Sequence, residues 1–215
     1  MTQLQRAPRA VERGWTRTRV LDWAGVGRVL TRLAHEIVEG HPGDMERVVL
    51  AGIREGGVEV ARGLCAHLRE ISAHGVRLVA VDVSGFRDDR PRQPGVDGFW
   101  QHLPVATGSR RSDPAASPEG AIVILVDDVI QTGRTMRAAF DAVASRGRPA
   151  AIEMAVLVDR GGREVPVRPT YVGKNLPVSA SEWVEIELDD GADPGRDPGR
   201  DPGPDSRGIF LVPRP

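Results

Sequence analysis

Val123-Ile124-Leu125-Val126-Asp127-Asp128-Val129-Ile130-Gln131-Thr132-Gly133-Arg134-Thr135 is an apolar run that ends in two adjacent carboxylates and a threonine-glycine turn. A run of β-branched residues and leucine with no polar alternation reads as a strand covered on both faces. Such a strand delivers Asp127 and Asp128 to the carboxyl edge of a sheet, where open α/β folds bind their ligands. The Thr132-Gly133-Arg134-Thr135 turn then opens a helix. Its free amides, two hydroxyls and positive end form a site for a phosphate dianion. The dipole contributes about 0.3–1 kcal/mol and each charge-assisted hydrogen bond about 1.5–3 kcal/mol, so the donors hold the ligand. Gly133 allows close backbone approach. A plain helix cap by Thr132 explains the turn but leaves the doubled aspartate unexplained, because neighbouring carboxylates repel unless hydroxyls or a cation engage them.

Outward from this segment the chain alternates apolar runs with helical stretches. Val48–Ile53, Val76–Val83, Ala121–Val126 and Ile152–Val158 are the runs, and helices are predicted over Ala24–Glu39, from Gly57 to about Ile71, and over Thr132–Arg146. Leu30, Leu33, Ala34 and Ile37 make one apolar stripe on the first helix, with Arg28, Thr31, Arg32 and His35 on the opposite face. This order predicts an α/β fold, a three-layer, mostly parallel sheet with helices on both faces. Residues 84–119 lack a core pattern and are rich in proline, which reads as a small hood or loop. Later pieces, Glu164–Val167, Thr170–Val172, Trp183–Leu188 and Gly208–Val212, are strand-like. The Asp-Pro-Gly repeat within 190–206 cannot pack and is expected to be solvated and disordered. Residues 1–19 read as a flexible Arg-rich arm, and 20–215 as a single domain.

Composition narrows the classes. The chain has 215 residues, 40% hydrophobic and 27% charged, which fits a globular protein and not a disordered one. No apolar run approaches the roughly 20 residues of a membrane span, and the Arg-rich start lacks a signal peptide's apolar core. The single Cys65 excludes an internal disulfide framework and a cysteine zinc site, so a cytoplasmic setting is expected. The net charge of −1 averages two opposed regions. Residues 189–205 hold six Asp and two Arg, a sum of −4, whereas residues 1–35 hold seven Arg against Glu12 and Asp22, a sum of +5. A basic surface is therefore compatible with the neutral total.

The Asp127–Thr135 segment resembles the phosphoribosyl-diphosphate (PRPP) motif of the type I phosphoribosyltransferases. Further stretches narrow the resemblance: Arg28–Glu36, Phe86-Arg87-Asp88-Asp89, Leu157–Arg168 and Tyr171-Val172-Gly173-Lys174-Asn175. Together they are similar to the pyrimidine operon regulators that double as uracil phosphoribosyltransferases. The similarity runs with gaps from about Val20 to Leu188. It implies the type I phosphoribosyltransferase fold and the reaction of uracil with PRPP to UMP and diphosphate, with Mg²⁺ on the diphosphate. It also implies that Asp127 and Asp128 hold the ribose hydroxyls and that Thr132, Gly133, Arg134 and Thr135 cradle the 5′-phosphate. Arg54 to Gly57 are then expected to face the leaving pyrophosphate, and Arg87 to close over the same charge. A second implied activity is binding of the pyrimidine operon leader mRNA under control of UMP or UTP. The family's RNA-contact positions fall on Thr31, Arg32, His35, Arg163, Arg168 and Lys174. A homodimer or higher homo-oligomer is expected with it.

Three departures from the family pattern stand out. Glu55-Gly56-Gly57 replaces the usual Thr-Arg-Gly, which removes a cation and adds an anion beside a polyanionic group. Only Asp82 remains of the two acids that usually end the preceding strand, with Ala80 in the other place, and Gln131 stands where an aromatic is common. Three rivals follow: a nucleotide-gated RNA-binding regulator with impaired turnover, a purine phosphoribosyltransferase, and a dinucleotide-binding domain. The last has the right order of elements around Gly52–Gly57 but the wrong glycine spacing, and it leaves Asp127–Thr135 without a role.

Overall fold

The structure is a computed structural model, and the residues it describes are 16–54, 56–72, 74–88, 99–103, 117–179, 181–188 and 207–213. The chain divides into a larger unit, Gly27–Leu176, and a smaller one made of Met1–Val26 and Pro177–Pro215.

The larger unit is built on β2 (Val48–Ile53), β3 (Arg77–Asp82), β4 (Phe99–His102), β5 (Ile122–Ile130), β6 (Ala151–Asp159) and β7 (Tyr171–Asn175). They lie in the order β4-β3-β2-β5-β6-β7. All neighbours are parallel except β4, which runs antiparallel to β3. Every residue of β2 is buried, as a two-sided apolar strand requires. The side chains of Val49, Ala51, Ile53, Val79, Val81, Val123 and Leu125 form one core layer with Met136, Ala139 and Val143 of α3 (Arg134–Ala144). Gly52, of opposite parity, faces Gly57 and Val58 at the start of α2 (Gly56–Ile71). Helices therefore cover both faces, and the three-layer α/β expectation holds. Leu30 of α1 (Trp23–Gly40) lies against Gly63 of α2, and Val29 against Gly173 of β7.

The smaller unit is an antiparallel sheet, β1 (Thr18–Asp22), β9 (Gly208–Pro213) and β8 (Glu182–Glu187), with β9 in the middle. Ile209, Phe210 and Val212 supply its buried residues, and the Arg17 guanidinium lies 3.9 Å from the centre of the Phe210 ring.

Several boundaries differ from the sequence reading. β5 runs four residues beyond Val126, so Asp127 and Asp128 lie within the strand and not after it. The extension is held by β6, through the pairs Asp127↔Val156 and Ile130↔Asp159. Of the expected hood at 84–119, residues 99–102 instead form β4, the edge of the main sheet, while 89–98 and 104–116 lie outside the described residues. A four-residue edge strand is too short to show a period. Glu164–Val167 forms no strand; it wraps the turn at Thr132. The two ends, expected within a single domain, make a unit of their own because β9 returns to pair with β1. Most of the Arg-rich arm (1–15) and the whole 190–206 repeat lie outside the described residues.

Candidate active site

Strand order reverses between β2 and β5: the chain adds β3 and β4 outside β2, and β6 and β7 outside β5. A crevice opens at the carboxyl ends of strands at such a point. Gly56 and Gly57 start α2 on one side of it, and Asp127 and Asp128 end the buried part of β5 on the other. A Cβ on Gly57 would run into the Val126 carbonyl oxygen and lie 3.0 Å from the Asp127 Cα, so glycine is what lets α2 close on β5. A Cβ on Gly56 would overlap the Asp128 carboxylate.

Asp127 is only 8% exposed. Its Oδ1 accepts the Asp128 N–H at 3.0 Å, and Asp128 Oδ1 accepts the Val129 N–H at 2.7 Å. Burial pushes the Asp127 carboxyl well above the usual carboxylate range. The neighbouring Asp128 charge pushes the same way, and the positive charge of Arg87 opposes both. Arg87, predicted to act at this site, is thus electrostatically joined to the aspartate pair.

The turn that follows is ordered as its sequence demands. Gly133 sits at φ 84°, a left-handed conformation, and caps α3 without a side chain. Thr132 Oγ1 accepts the Arg134 N–H at 3.3 Å. Segment 160–168 buttresses the turn from outside. The N–H groups of Glu164 and Val165 donate to Thr132 O at 2.9 and 3.0 Å, and Val167 fills the space beside Gly133. Arg163 donates to Gln131 O at 2.9 Å, Asp159 Oδ2 at 2.6 Å and Val167 O at 3.1 Å. The buried Arg160 donates to Gln131 Oε1 at 3.1 Å, which gives that non-aromatic residue a partner. Arg134 bridges Asp88 (2.7 Å) and Glu164 (2.8 Å), so its guanidinium spans the segments on either side of the turn.

Other expected site residues fall elsewhere. Arg54 follows β2 but its guanidinium reaches Gln101 Oε1 of β4 at 2.6 Å. Glu55 lies outside the described residues. On α1, Thr31 Oγ1 donates to Gly27 O at 3.0 Å and lies 3.3 Å from His67 Nδ1; His35 is exposed. Arg32 pairs with Glu36 and donates to the carbonyls of Val172 (3.0 Å) and Gly173 (2.6 Å). That bond brings the polar face of α1 beside the strand that carries Lys174. Arg168 is exposed in the approach to β7. Arg163 is half-buried, and its guanidinium bonds Asp159, which pairs with Asn175 next to Lys174, as well as Gln131 and Val167 next to Arg168.

Sequence reasoning missed Asp159 and Arg160 as parts of the site. Asp159 and Arg160 follow an apolar run, the same signal that exposed Asp127 and Asp128. Among the described residues no group of three or more His, Cys, Asp or Glu residues is arranged to hold a metal ion, and no helix is long and apolar enough to cross a membrane.

Comparison with known proteins agrees with this arrangement. The phosphoribosyl transferase domain model matches residues 16–189. The bifunctional protein PyrR of Geobacter sulfurreducens is 48% identical over 80% of this chain and 91% of its own length. That of Bacillus subtilis is 40% identical over 80% and 90%. Among solved structures, a hypoxanthine phosphoribosyl transferase of Trypanosoma cruzi superposes with a TM-score of 0.61 at 24% identity, covering 94% of this chain and 93% of that one. A likeness at that identity speaks for the fold alone. With its aspartate pair and threonine-glycine turn at the switch point of a parallel sheet, the chain belongs to the bifunctional PyrR family of phosphoribosyltransferases.

Proposed function

We propose that this protein transfers the phosphoribosyl group of PRPP to uracil, giving UMP and diphosphate, and that it regulates pyrimidine operon expression by binding leader mRNA in response to uridine nucleotides. The observation that carries the reading is the placement of Asp127–Asp128 and the Thr132–Thr135 turn together at the carboxyl ends of β5 and β2. The first turn of α3 and the two threonine hydroxyls bind the 5′-phosphate, and the aspartates accept the ribose hydroxyls. No covalent intermediate with the protein is needed. The anomeric carbon gains oxocarbenium character as diphosphate departs, and the chain contributes position and charge. Arg87, beside Asp127, offsets negative charge at the crevice.

Two carboxylates, one of them buried, suit a Mg²⁺ held mainly by diphosphate oxygens and water. When bound, that ion neutralises charge on the leaving group. RNA contact falls to Thr31, Arg32 and His35 on α1 with Arg163, Arg168 and Lys174 around β7, and the proposal includes a homodimer or larger assembly to present that face.

The test is UMP formation from uracil and PRPP, with hypoxanthine as competitor for base choice. Turnover that falls on the order of 10²-fold in Asp128→Asn, with folding intact, supports the reading; unchanged kinetics refute it. A second reading, a regulator that binds nucleotide without turning over, is favoured by the Glu55-Gly56 replacement and is the outcome if UMP binds but does not form.

A further inference from the structure

Gly56 stands where the family pattern that the sequence resembles implies an arginine. The structure gives that glycine a definite neighbour. The three heavy atoms nearest to a Cβ built on it all belong to the Asp128 side chain: Oδ2, Cγ and Cβ, the last at 3.2 Å. No backbone atom stands among them, in contrast to Gly57, whose Cβ meets the backbone of Val126 and Asp127. The space above Gly56 is therefore taken by the Asp128 carboxylate, whose other oxygen accepts the Val129 N–H at 2.7 Å.

We propose that Gly56 is a positioning residue: lacking a side chain, it gives the Asp128 carboxylate a resting place against the first turn of α2, from which an incoming phosphoribosyl group must draw it. The inference rests on the function proposed above. In the resting place the carboxylate adds negative charge to the loop that faces the diphosphate, and it is withdrawn from the ribose. Both effects weaken binding of PRPP, because ligand affinity is reduced by the fraction of molecules in the incompetent arrangement. Any side chain at position 56 closes the resting place. Restoring a bulkier residue there tightens the site before it adds any charge of its own.

Gly56→Ala tests this, since alanine favours the helix and its three nearest neighbours are side-chain atoms of Asp128 and not backbone. Ligand-free crystals are expected to show the Asp128 carboxylate against α2 in the parent chain and turned away in Gly56→Ala. The Kd and KM for PRPP with Mg²⁺ are expected to fall together by roughly three- to ten-fold, and the gain in Kd to vanish in the Asp128→Ala background. The proposal is overturned by equal or weaker binding in Gly56→Ala at an unchanged Tm, by the same gain in the Asp128→Ala background, or by an Asp128 carboxylate away from α2 in the parent crystals. Failure of the parent chain to bind PRPP or UMP overturns the functional reading instead, and the ligand-free crystals then decide the position of Asp128 independently.

Discussion

At Asp127, burial and the adjacent Asp128 charge raise the carboxyl pKa in the folded chain above its unfolded value. In that window the folded state binds more protons than the unfolded one, so the group's penalty on stability is absent below the unfolded pKa and grows as pH rises through the folded one. Asp127→Asn is therefore expected to raise Tm at pH 7.5 and to lose that advantage near pH 4; an equal gain at both pH values contradicts the assignment. Arg163 offers a second test. Removing a guanidinium that bonds Gln131, Asp159 and Val167 is expected to cost about 1–3 kcal/mol and to weaken UMP binding, because the turn at Thr132 loses its buttress. Arg168→Ala, an exposed change, is expected to stay within about 0.5 kcal/mol by thermal melts. The aspartates and threonines were legible because they follow one another in the chain. The Gly56–Asp128 and Arg163–Gln131 contacts join distant segments, and no local pattern announces them.

Among the elements, β2, β5 and β6 and the helices could be read from their apolar runs and 3.6-residue stripes. β4 and the end of β5 could not: one is four residues long, and the other is polar and held by its partner β6. At the junction of α2 with β5 the two backbones approach closely. Gly57→Ala is expected to cost about 1–3 kcal/mol in chemical denaturation, as overpacking against backbone does, whereas Gly56→Ala, which meets a side chain, is expected to cost less. The α1–β7 surface yields a separate prediction. Arg168→Ala with Lys174→Ala is expected to lower leader RNA affinity and to reduce the slope of log K against log salt by about one for each cation removed, leaving uracil turnover intact. Equal RNA retention in gel shift, with an unchanged slope, refutes that surface.

For the whole molecule, the near-neutral charge conceals a basic segment at residues 1–35 and an acidic one at 189–205. The sheet order puts the crevice that holds Asp127 and Asp128 at the switch between β2 and β5, while Arg32 ties α1 to β7 at the sheet's far edge. A single chain thereby carries the proposed nucleotide site and a polar face on different parts of one sheet. This separation is why variants of the two activities are expected to be distinguishable. Every function assigned here depends on where a sugar phosphate binds. Crystals soaked with UMP measure that directly: the account predicts its phosphate on the amides and hydroxyls of Thr132–Thr135 and its ribose hydroxyls on Asp127 and Asp128. An unoccupied turn, with UMP bound at another place on the molecule, contradicts it.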